Sequence, residues 1–67
     1  MLTESEIEKA ALLLCNSSLG NDKWNEQTDN HKEGFRKVVM GLWETLNVPR
    51  SPAAVKVFMV WMGEENA

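Results

Sequence analysis

Residues 51–63 read SPAAVKVFMVWMG. Ser51 is a good N-cap, Pro52 stands at the first helical position where a missing N–H does no harm, and Gly63 is placed to stop the helix. The pattern predicts a helix over about residues 52–63. Between the proline and the glycine, Lys56 is the only charged residue. Val55, Phe58, Met59 and Met62 form one stripe at helical spacing, and Ala54, Val57 and Trp61 form a second beside it. A helix that is apolar all round is normally a buried one.

In a three-helix domain each helix touches two others and keeps one side in water. This helix has no side suited to water. If one stripe faces the core, the other is left as an apolar patch on the order of several hundred Å², the size of an interaction site. Homodimers with two-fold symmetry are the commonest cover for such a patch. The sequence therefore leads to an all-α, small three-helix domain, a homodimer packed through the apolar C-terminal helix. Val57, Phe58, Val60, Trp61 and Met62 are the expected interface. The competing arrangement is a monomer in which the polar loop carrying Trp24 folds over the last helix.

Upstream, Phe35, Val38, Val39, Leu42, Trp43 and Leu46 recur at helical spacing and predict a second helix over about 30–47, capped by Asp29 or Asn30. Trp43 and Phe35 are expected in its core face. Pro49 disfavours helix at Val48 and ends it. Gly34 and Gly41 stand seven apart on one edge, and an interior helix glycine costs about 1 kcal/mol against alanine. Their spacing points to a neighbouring backbone that comes close.

The N-terminal helix is expected over about 4–16. Thr3 and Glu6 have capping-box spacing, and Leu2 and Ile7 occupy the flanking staple positions. Ile7, Ala10, Ala11 and Leu14 make its apolar stripe, and Asn16, Ser17 and Ser18 are expected to end it. Residues 17–29 are polar and rich in Gly, Asn, Asp and Ser, which favours a loop, with one turn near 22–26. The alternative is an earlier start of the second helix near Asn21. The closing EENA is a short acidic tail expected to fray.

Sixty-seven residues, 43% of them hydrophobic, make one domain, 1–67, without linker or repeat. A net charge of −3 excludes a strongly basic nucleic-acid module. The start MLTESEIEKA lacks the basic and apolar regions of a signal peptide. Cys15, the single cysteine, cannot close an intrachain disulfide, which points to reducing cytoplasm.

Chemistry-bearing residues are sparse. His31 lies beside Asp29 and Glu33, but no nucleophile accompanies it, so it reads as a polar residue of the first helical turn. Cys15 lacks the partners of a zinc site and lies near a helix C-terminus, where the dipole opposes a thiolate. It reads as a small packed hydrophobe. Asp22, Glu26 and Asp29 do not follow calcium-loop spacing. Asn16-Ser17-Ser18 matches a glycosylation sequon without a secretory context. No catalytic residue, cofactor or metal is expected.

The function expected is that of a small non-catalytic regulator or adaptor that binds itself and another protein. Its size resembles that of accessory factors of bacteria or their viruses. A second reading is a helix-turn-helix-like nucleic-acid binder using Lys32, Arg36, Lys37 and Arg50. Against it, the last helix offers Ala, Val, Phe and Met where base edges need polar side chains. Membrane association is a third reading, weakened because an interfacial helix usually carries a basic polar face.

Overall fold

The computed structural model describes residues 1–64. It is all-helical, with α1 (Glu4–Leu19), a short 3₁₀ turn (Lys23–Glu26), α2 (Asp29–Leu46) and α3 (Pro52–Met62). Of the acidic tail, residues 65–67 lie outside the described residues.

Local chemistry sets most helix ends. At α1 the Thr3 hydroxyl accepts from the Glu6 N–H, and the Glu6 carboxylate accepts from the Thr3 N–H at 2.8 Å. The expected capping box is present. Ser51 caps α3 through the Ala54 N–H, Pro52 follows it, and Gly63 ends the helix with φ +123°.

Two boundaries differ from the sequence reading. Helix α1 runs on to Leu19 rather than stopping near residue 16. Asn16 and Ser17 do not break it because their polar groups find distant partners. The Asn16 Oδ1 accepts from the Trp24 N–H at 2.9 Å, and the Ser17 hydroxyl donates to the Met62 carbonyl at 3.1 Å. The helix ends instead at Gly20, whose φ is +121°. At the start of α2 the cap is Thr28, whose hydroxyl accepts from the His31 N–H. Asp29 and Asn30, the expected caps, are already helical. The connection is thereby cut to residues 20–28, with the 3₁₀ turn falling where the turn signal lay.

Helix α1 is central. Helices α2 and α3 each pack along it and barely meet one another. Ala10, Ala11 and Cys15 are fully buried on α1, small enough to let both neighbours approach. Val39 and Trp43 come in from α2, and Phe58, Met59 and Met62 from α3. An edge-on aromatic pair marks each end of α2: Trp24 against Phe35 at 6.4 Å, and Trp43 against Phe58 at 5.3 Å. Such pairs add about 0.5–1.5 kcal/mol beyond their buried area.

Candidate functional site

The final helix does carry more apolar surface than the domain covers. Phe58 and Met62 are in the core, which removes them from the expected interface. The stripe that contains them faces α1. The rest of the expected set remains outside: Val57 is 49% exposed, Val60 42% and Trp61 62%. The loop does not wrap them. Its Trp24 is held down by the Asn16 hydrogen bond and lies against Phe35, on the α2 side of the molecule.

Because α2 and α3 barely meet, a groove opens between them. Leu46, Val48, Ala54, Val57 and Trp61 line it, with Phe58 at its base. From Leu46 an apolar band continues along α2 through the exposed Leu42 and Val38, each four residues from the last. It reaches a shallow dent formed by Leu19, Gln27, His31, Gly34 and Phe35. Of the exposed large hydrophobics, only Met1 and Val60 lie away from this band. The band spans the 18 residues of α2, roughly 27 Å at 1.5 Å per residue.

Three of the four basic residues are engaged within the chain. Arg36 makes a forked contact with Glu8 on α1, with Nε–Oε1 at 2.7 Å and Nη2–Oε2 at 3.2 Å, and a further bond to Glu33. Arg50 grips Glu6 in the same way, with Nε–Oε1 at 2.9 Å. Lys32 and Arg36 also lie over the Trp24 ring, at 5.3 and 5.7 Å from its centroid. Lys37 is exposed and, like Lys32, has no ion-pair partner among the described residues. These ion pairs pin α1 to α2 and to the start of α3. They do not assemble one basic face. Glu6 and Glu8 of α1 are correspondingly occupied: the Arg36 guanidinium holds the Glu8 carboxyl below its usual range. The pKa values of Arg36 and Arg50 move upward, for the same pairing reason.

Glu6 is the most perturbed carboxylate. Hydrogen bonds from Arg50, then from the Thr3 backbone, bring its pKa from the ordinary 4.5 down to about 2. A carboxylate whose pKa falls on folding stabilises the fold above its unfolded value, and that contribution fades as the proton goes on. The stabilisation from Glu6 is therefore full above about pH 4.5 and is lost between 4.5 and about 2. In Arg50→Ala, a carboxyl-carbon NMR titration should show the Glu6 midpoint moving upward toward the ordinary value. An unchanged midpoint would mean that Arg50 is not its partner in solution.

His31 sits at the surface with Nδ1 3.3 Å from Gln27 Oε1. Cys15 is fully buried on α1. Among the described residues no three His, Cys, Asp or Glu side chains gather as a metal site would need. No described helix is long and apolar enough to cross a membrane. The Gly34 and Gly41 spacing also has a different outcome from the one expected. A Cβ placed on either glycine would meet nothing within 4 Å. Among the described residues no neighbouring backbone comes close to them.

No protein-family model matches the chain, and no curated protein or solved structure shows significant similarity to it.

Proposed function

We propose that this chain is a non-catalytic helical interaction module that binds protein through the apolar band running from Trp61 along α2. The carrying observation is the segregation of its exposed side chains. Most of the large apolar groups left outside the core collect on one face, whereas Arg36 and Arg50 are spent on ion pairs with α1. A groove flanked by two helices and lined by Leu46, Val48, Ala54 and Val57 suits an incoming amphipathic helix. Trp61 at its mouth has the size and the amphipathic ring of an interface anchor. A second copy of the chain is the first occupant to consider, and a different protein is the other. The role that follows is that of a small regulator or adaptor. The buried lone thiol of Cys15 fits a reducing, cytoplasmic setting.

Photo-crosslinking tests this reading. A benzophenone amino acid replacing Trp61 or Val57 should give protein adducts on irradiation of intact cells. The same group replacing Glu33, which lies on the ion-paired side of α2, should give far fewer. Adducts with nucleic acid, or equal yields at all three positions, would sink the proposal. Trp61→Glu should melt within about 0.5 kcal/mol of the parent, as surface changes usually do. The fold and the binding are therefore separable.

A further inference from the structure

The outward face of α2 has an order that the monomer does not use. Gly34, Val38, Gly41 and Thr45 follow one another at spacings of four, three and four, and all four are exposed. Val38 alone is 51% exposed. On one flank of this line stand Lys37 and Glu44, both exposed and both without an ion-pair partner among the described residues. On the other flank stand Phe35 and the exposed Leu42. These are the seam and flanks of a helix that pairs with another helix.

The charges select the partner and its direction. In a parallel pair, opposite flanks face each other, so Lys37 would meet an apolar flank. In an antiparallel pair, like flanks meet. Two copies of α2 crossing about a two-fold axis midway between Val38 and Gly41 then set Lys37 against the partner's Glu44, and Glu44 against the partner's Lys37. The same register puts Val38 against the partner's Gly41 and Gly34 against the partner's Thr45. It also lays Leu42 beside the partner's Phe35. A side chain thus meets a position with no Cβ, and the open space over both glycines is what the neighbouring helix fills. An isologous contact needs this kind of self-complementarity.

We propose that the protein forms an antiparallel homodimer through this face of α2. The proposal rests on the reading above and names the occupant of its band as a second copy. The seam moves from α3, where the sequence alone placed it, to α2. At its ends Trp61, beside Leu46, is carried toward the partner's dent at Leu19 and Phe35.

Sedimentation equilibrium over a concentration series, read beside thermal melts, tests it. Gly41→Gln is the sharpest variant, because it should move two observables in opposite directions. Removing an interior helix glycine raises the melting temperature of the dilute, monomeric protein by about 4–8 °C. The added side chain fills the close crossing and weakens the dimer about tenfold or more. Lys37→Glu and Glu44→Lys should each weaken the dimer severalfold, because each sets like charges together twice. The double variant K37E/E44K should restore it. A wild-type protein that stays monomeric throughout the series overturns the proposal, as does a dimer indifferent to Gly41→Gln or to the charge exchange. A dimer sensitive only to Trp61→Glu would place the contact on α3, overturning the α2 seam while leaving the protein-binding reading intact. Crosslinks from position 61 to a different protein, with no self-association, would separate the two in the same way.

Discussion

Phe58→Ala should destabilise the fold severely, whereas Trp61→Glu, one turn further on, should not. Phe58 is 1% exposed and stands edge-on to Trp43, bridging α2 and α3 where they otherwise barely touch. Truncating a buried phenylalanine costs about 3–5 kcal/mol, the lost transfer energy plus the cavity left behind. A domain of this length has roughly 3–10 kcal/mol of stability in total, at 0.05–0.15 kcal/mol per residue. The substitution therefore removes from about a third to all of that stability. Urea denaturation followed by circular dichroism reads the result directly. A Phe58→Ala protein with the parent's midpoint would show that the buried and exposed stripes of α3 have been exchanged. In that case the interface set first read from the sequence, Phe58 and Met62 included, would return.

The second large effect is expected at Gly63, where backbone and packing reinforce each other. Its φ of +123° is one that residues with a Cβ rarely adopt. A Cβ there would also stand 1.7 Å from the Ser17 hydroxyl oxygen and 3.2 Å from the Leu13 carbonyl. Ser17 cannot simply swing away, since its hydroxyl donates to the Met62 carbonyl at the open end of α3. Gly63→Ala thus combines backbone strain of about 1–2 kcal/mol with overpacking of about 1–3 kcal/mol. Adding Ser17→Ala should recover the clash with the oxygen and leave the backbone strain. The double variant should accordingly melt above Gly63→Ala and below the parent. If Gly63→Ala alone matches the parent in thermal melts, the end of α3 does not dock on α1 in this way.

These two residues also mark where sequence reading reached and where it stopped. Gly63 was legible as a helix terminator because chain termination is local: a run of helical spacing followed by glycine carries the signal. Its dependence on Ser17 was not legible, since that contact joins positions 46 residues apart by sequence number. Asn16 and Ser17 illustrate the converse. Their intrinsic tendency is to end a helix, and it is overridden once Trp24 and Met62 supply hydrogen-bond partners. Thr28, Asp29 and Asn30 are three successive residues able to cap, and local chemistry does not rank them. For Arg36 and Arg50, the sequence shows two basic residues and, early in the chain, the acids Glu6 and Glu8. Which acid each arginine would meet depended on how α1 lies between its neighbours.

By itself, the sequence determined the helical class, the caps at Thr3 and Ser51, the stop at Gly63 and the excess apolar girth of the last helix. All of these follow from spacing and short-range hydrogen bonding, which survive in any packing of the chain. Only the tertiary structure decided that Phe58 and Met62 turn inward while Val57, Val60 and Trp61 turn out, and that none of the described residues packs over Gly34 and Gly41. The two stripes of α3 are nearly equal in hydrophobicity, so burial energy alone cannot choose between them. Shape chooses, through the small residues of α1 that admit Phe58 and Met62 and through the edge of Trp43 that receives the phenyl ring.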